Sequence, residues 1–130
     1  MVDPYRQDKN LPLILHVEND QPSVDITKYF LKDICEVDYA ENASKALELV
    51  KKKYYKAILM DINLGREMNG IELTGEIRKI NGYEKIPIVA LTAYALMGDK
   101  EKCLAAGCSH YISKPFEKTH LIKLMTDILQ

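Results

Sequence analysis

Four short apolar runs of this 130-residue chain each end on residues that could do chemistry together. Leu11 to Val17 leads into Glu18, Asn19 and Asp20. Ala57 to Met60 leads into Asp61, Ile86 to Leu91 into Thr92, and His110 to Ser113 into Lys114 and Pro115. Taken singly, each is ordinary: an aspartate often opens a loop, a threonine belongs in a strand, and Lys-Pro is common in turns. As a set they describe one kind of site. Crowded carboxylates repel and call for a cation. Oxygen ligands favour a hard one such as Mg²⁺, which keeps several waters and takes one or two carboxylates plus a phosphate. Lys114 offers a point charge for a phosphate oxygen, and Thr92 a hydroxyl for another. Asp61, in the middle, is then suited to attack phosphorus and become an aspartyl phosphate. Metal, lysine and hydroxyl would neutralise the equatorial oxygens, which is most of what phosphoryl transfer requires.

These residues can meet only if the runs lie side by side. Leu11 to Val17 reads as a strand buried on both faces. A helix follows, capped by Asp20, opened by Pro22 and carrying Val24, Ile26, Tyr29, Phe30 and Leu31 at helical spacing. Val37 to Ala40 is a second strand. Asn42 or Ser44 can cap a second helix with Ala46, Leu47, Leu49 and Val50 inward, closed by the solvated lysines 51 to 53. The third strand, Ala57 to Met60, ends on Asp61. A helix from Gly70 to Ile80 stops at Asn81-Gly82. Ile86 to Leu91 is a fourth strand with Pro87 where a strand tolerates one. A helix from Leu96 to Ala106, the strand His110 to Ser113 and a helix from Lys118 to Leu129 complete the series. Strand and helix alternating in this way predict an α/β fold, a doubly wound five-stranded parallel sheet of flavodoxin-like order 2-1-3-4-5. In such sheets the crevice lies at the carboxyl ends of the strands, where the order reverses between strands one and three.

Composition narrows the classes. An apolar share of 47% supports a real core, and residues 11 to 130 read as one domain behind a flexible leader, residues 1 to 10. A net charge of −1 with no basic stripe gives no footprint for nucleic acid. No run is long enough to span a bilayer and no secretory signal is visible, so the expectation is a cytoplasmic protein without membrane contact. Cys35, Cys103 and Cys108 form no CxxC pair and read as reduced, mostly buried thiols. His16 reads as a hydrogen-bonded interior histidine, Phe116 and Met60 as core, and Tyr54 and Tyr55 as a helix end packing on the next strand.

From Leu13 to Leu129 the chain resembles the receiver domains of two-component response regulators, including the single-domain chemotaxis regulator and the receivers of hybrid sensor kinases. The motifs that carry the resemblance are ILHVEND (14–20), AILMDINLG (57–65), MNGIEL (68–73), IVALTAYA (88–95) and YISKPF (111–116). The resemblance implies that Asp61 is the phosphoacceptor and that Glu18 is the first acid of a Mg²⁺ pair. It also implies that Asn63 offers a backbone carbonyl to the metal, that Thr92 is the switch hydroxyl and that Lys114 is the phosphate-binding lysine. Tyr111 matches the aromatic that swings inward with the switch, Tyr94 a position edging the site, and Lys114-Pro115 a cis peptide. It further implies a phosphohistidine donor, either a sensor histidine kinase or a histidine phosphotransfer protein. The output would be a downstream protein bound through the face of helix four, strand five and helix five, with homodimerisation on phosphorylation as a further expectation. Such a domain is a phosphoacceptor in a phosphorelay rather than an enzyme, with at most slow self-dephosphorylation.

Two departures stand out. Asn19 occupies the second acid's position, which removes a charge from the metal set and predicts weakened Mg²⁺ binding, while Asp20 should project differently. The loop after Asp61, NLGREMNG, replaces a shorter proline-containing one. Three other readings are weighed against the phosphorylated switch. A pseudo-receiver that binds partners without phosphorylation is made credible by Asn19. A haloacid-dehalogenase-type phosphatase would need a general acid two residues after Asp61, where Asn63 cannot give a proton. A flavodoxin-like electron carrier would need a Ser/Thr/Gly-rich phosphate loop where ENDQPSVD stands.

Overall fold

The structure is a computed structural model that describes residues 11–64, 68–93 and 99–130. The expected leader, residues 1–10, Tyr94 and the first residues of the expected fourth helix lie outside the described residues. Five strands and five helices alternate: β1 (Leu13–Val17), α1 (Gln21–Leu31), β2 (Glu36–Ala40), α2 (Ala43–Lys52), β3 (Ala57–Asp61), α3 (Gly70–Arg78), β4 (Ile88–Thr92), α4 (Asp99–Ala106), β5 (His110–Ser113) and α5 (Lys118–Leu129). All strand pairs are parallel, in the order β2-β1-β3-β4-β5. The doubly wound arrangement read from the sequence is the one observed.

Alternation along each strand divides the core into two layers. Leu15, Val17, Ile58, Met60, Ile88 and Ala90 face α2, α3 and α4, where Ala46, Leu73, Ile77 and Cys103 meet them. Ile14, Leu59, Val89, Leu91 and Ile112 face α1 and α5, against Leu31, Leu121 and Met125. β3 and β4 are buried at every position, as the middle strands of a sheet covered on both faces must be.

Local chemistry sets the helix starts. Asp20 accepts from the Ser23 amide at 3.1 Å, and Asn42, rather than Ser44, accepts from the Lys45 amide at 2.8 Å. Asn69 and Glu72 form a reciprocal capping box at α3. Three boundaries differ from expectation by two residues, each for a backbone reason. β1 begins after Pro12, which has no N–H to offer. β4 begins after Pro87, because the Ile86 carbonyl is taken by Arg78 at 2.7 Å. α3 ends at Arg78, since the Lys79 and Ile80 amides tighten onto the Glu76 and Ile77 carbonyls. α4 terminates at Gly107 with φ 119°, where the Gly107 and Cys108 amides close on the Leu104 and Cys103 carbonyls.

Four expectations about side chains are corrected. Ile26 (51% exposed) and Tyr29 (59%) lie on the solvent side of α1, whose inward residues are Val24, Thr27 and Leu31. Tyr54 faces solvent and stacks on Tyr83, and Tyr55 alone is buried. His16 is interior as expected but is not hydrogen-bonded: neither ring nitrogen has a partner among the described residues. All three cysteines are free and buried.

The amino end of the sheet is fastened by side chains bonding to backbone. Arg78 reaches the carbonyls of Gly107 (2.6 and 3.0 Å), Tyr83 (2.9 Å) and Ile86 (2.7 Å). Tyr83 Oη accepts from the Tyr55 amide at 2.9 Å and donates to the Lys53 carbonyl at 2.7 Å. Tyr55 Oη donates to Asp38 at 2.7 Å, and Lys53 pairs with the same carboxylate at 3.0 Å. The carboxyl end is built differently.

Candidate functional site

Parallel register brings the strand ends to one rim. Val17 pairs with Met60, Asp61 with Leu91, and Thr92 with Ser113. The next residues out are therefore Glu18, Ile62, Ala93 and Lys114. Glu18, Asp61 and Thr92 are each almost wholly buried. Lys114 reaches inward from β5, with Nζ 2.7 Å from Glu18 Oε1 and 3.7 Å from Asp61 Oδ1. The Asn63 amide donates to Asp61 Oδ1 at 3.1 Å, so two donors address the same carboxyl oxygen. The Lys114 amide itself donates to the Thr92 carbonyl at 2.7 Å, which ties the lysine to the end of β4.

The electrostatics separate the two acids. Burial pushes Asp61 up to about 7, and the neighbouring Glu18 carboxylate adds to the rise against the opposing pull of Lys114 and the Asn63 amide. Burial also raises Glu18, but its hydrogen bonds with Lys114 and Asp61 outweigh that and hold it below the usual carboxylate range. Of the two acids, burial favours the protonated form of Asp61, while Glu18 is held toward its charged form. This is the charge balance that a hard divalent cation would relieve. Two carboxylates from Glu18 and Asp61, with amide oxygen from Asn19 and backbone oxygen at Asn63, fit Mg²⁺, which needs only one or two acids and retains water. Among the described residues, no group of three His, Cys, Asp or Glu side chains could hold a metal.

The remaining predicted residues fall around this cluster. Asn19 is exposed at the rim. Asp20 is committed elsewhere, since its carboxylate caps α1 through the Ser23 amide and hydroxyl, while its own amide donates to Glu18 Oε2 at 3.3 Å. Tyr111 is half-buried, pairs with Ala90 and packs on the same layer as α4, two residues along the strands from Thr92. The Lys114–Pro115 peptide is cis, and Pro115 is exposed. Tyr94 lies outside the described residues.

The structure adds a residue the motifs did not single out. Gly70 opens α3 directly against the tip of β3. A Cβ there would lie 2.3 Å from the Asp61 carbonyl oxygen and 2.8 Å from Ile62 Cα, and the Gly70 amide donates to the Ile62 carbonyl at 3.0 Å. Only glycine allows this approach of α3 to the end of β3. The sequence signal was present, an Asn-Gly pair after the loop, but it reads equally as a helix start.

A family model for the response regulator receiver domain matches residues 14–126. The chain belongs to the response regulator receiver family. This receiver is 35% identical over 113 residues to an uncharacterized 14.6 kDa protein in the sodA1 3′ region of Leptolyngbya boryana, covering 86% of each. It is 31% identical over 124 residues to the signal transduction histidine-protein kinase BarA of Escherichia coli, where it covers 94% of this chain but spans only 13% of that kinase. Among solved structures, the receiver domain of sensor histidine kinase PA1611 from Pseudomonas aeruginosa superposes with a TM-score of 0.83 at 32% identity. That match covers 92% of this chain and 98% of the other, and the PA1611 structure is described with a magnesium ion coordinated in the active site cleft. Chemotaxis protein CheY4 of Vibrio cholerae superposes with a TM-score of 0.85 at 26% identity, over 92% and 99% of the two chains. The receiver is therefore a two-component signalling domain with the chemotaxis-regulator fold. No helix among its described residues is long and apolar enough to cross a membrane.

Proposed function

We propose that this receiver accepts a phosphoryl group on Asp61 from a phosphohistidine of a sensor histidine kinase or histidine phosphotransfer protein. The acyl phosphate then shifts the α4–β5–α5 face between two states that bind a downstream protein differently. The observation that supports this most is Lys114, whose ammonium meets Glu18 at 2.7 Å and Asp61 at 3.7 Å on one buried rim. In the transfer, an Asp61 carboxylate oxygen bonds to phosphorus as the phosphorus–nitrogen bond breaks. The electron pair leaves on the donor imidazole, which departs neutral when its other ring nitrogen already carries a proton and otherwise takes one from solvent. The Asn63 amide and Lys114 orient the acceptor, and Lys114 and the Thr92 hydroxyl would bind the arriving oxygens. Mg²⁺, held by Glu18, Asp61, the Asn63 carbonyl and the Asn19 amide, would neutralise charge and keep Asp61 deprotonated.

The test is incubation with acetyl phosphate and Mg²⁺, read by intact mass. Wild type should gain one phosphoryl group and Asp61→Asn none. Equal labelling of both would assign another nucleophile, and labelling of neither would leave the pseudo-receiver reading that Asn19 favours. Calorimetric titration addresses the metal separately. Asn19→Asp should tighten Mg²⁺ binding by about tenfold through the added charge, and an unchanged affinity would remove position 19 from the metal set.

A further inference from the structure

A cavity of about 640 Å³ opens on the α1 side of the rim, between α1, the ends of β1 and β4, and the segment joining β5 to α5. Its volume falls within the range of small-molecule sites, about 300–1,000 Å³. Phe30, Leu91 and Phe116 give it apolar and aromatic walls, and Thr27 adds a hydroxyl. His16 also lines it, 1% exposed and with neither ring nitrogen hydrogen-bonded among the described residues. Buried polar atoms in native proteins nearly always have partners, so an imidazole with both nitrogens unmet beside a cavity points to a polar occupant.

We propose that this cavity binds a small, uncharged, largely aromatic molecule bearing a hydroxyl that both donates and accepts a hydrogen bond. The aromatic body suits the walls. The hydroxyl suits His16, because an imidazole ring can donate from one nitrogen and accept at the other, and here both lack a partner among the described residues. The charges at the mouth leave nothing for an ion to pair with: Glu18 and Lys114 already meet each other at 2.7 Å, so neither offers a free counter-charge to an occupant. Because Glu18 and Lys114 also face Asp61, an occupant that alters their pairing alters the phosphoacceptor by linkage. That consequence rests on the function proposed above, whereas binding does not.

The probe is 2-naphthol, added to the unphosphorylated full chain. The protein has no tryptophan, so naphthol can be excited apart from its tyrosines. In water its excited state sheds the hydroxyl proton and emits as naphtholate, and in a water-poor site the neutral form emits. The expected result is saturable one-site binding with neutral-form emission, weakened about tenfold by His16→Phe through loss of the hydrogen bonds. Ile26→Glu changes an exposed residue at the mouth and should also weaken binding, with thermal unfolding showing that the fold is kept. Non-saturable uptake overturns the proposal. So does unchanged affinity in either folded variant, or equal affinity for 2-naphthoate.

Discussion

At 2.7 Å from Glu18 and 3.7 Å from Asp61, the Lys114 ammonium does not serve both carboxylates equally. Glu18 takes the closer contact and is held below the usual carboxylate range, and Asp61 is pushed above it. The consequence for stability has a definite sign. The folded Asp61 carboxyl titrates near 7, and the unfolded one near its ordinary value of about 4. Between those values the folded state binds more protons, so this residue's contribution to stability falls as pH rises, and is lowest above 7. Asp61→Asn removes that penalty. Without divalent cation, the variant should therefore melt higher than wild type at pH 8, with the gap closing toward pH 4 in parallel thermal scans. The four rim residues Glu18, Asp61, Thr92 and Lys114 were legible because each directly follows an apolar run. His16 was legible only as interior. Sequence shows a polar residue inside a strand but not whether the helix above it supplies a partner.

Between elements, the connections at α3 show what local pattern does and does not reveal. The caps Asp20, Asn42 and Asn69 act within three residues of themselves, so short-range chemistry announces them. The bonds of Arg78 do not, since they span five, eight and twenty-nine residues and depend on how α3 and α4 pack. In the sequence this arginine is merely one of two adjacent charges near the end of a helix. Arg78→Ala should lower stability by about 2–4 kcal/mol, because three carbonyls lose a charged donor. Denaturant unfolding would read the loss. Arg78→Lys should recover only part of it, an ammonium lacking the planar fork that serves several carbonyls at once. The same limit explains Gly70: its need for glycine comes from the nearness of Asp61, a contact made nine residues away in the chain.

On the scale of the whole molecule, strand order was readable because parallel sheets with short right-handed crossovers leave few arrangements for five alternating units. What could not be read is the difference between the sheet's two ends. One holds the charged groups Glu18, Asp61 and Lys114, and the other holds Arg78 and Tyr83 bonded to backbone. That difference bears on how the protein breathes. Amides at the fastened end, Tyr55 bonded to Tyr83 and Ile58 bonded to Pro87 among them, should exchange with deuterium only on global opening. The Asn63 amide, held by one carboxyl oxygen at the rim, should exchange through local excursions. Such an exchange pattern would mark a stationary base and a mobile lip, so that a change at the lip need not loosen the base.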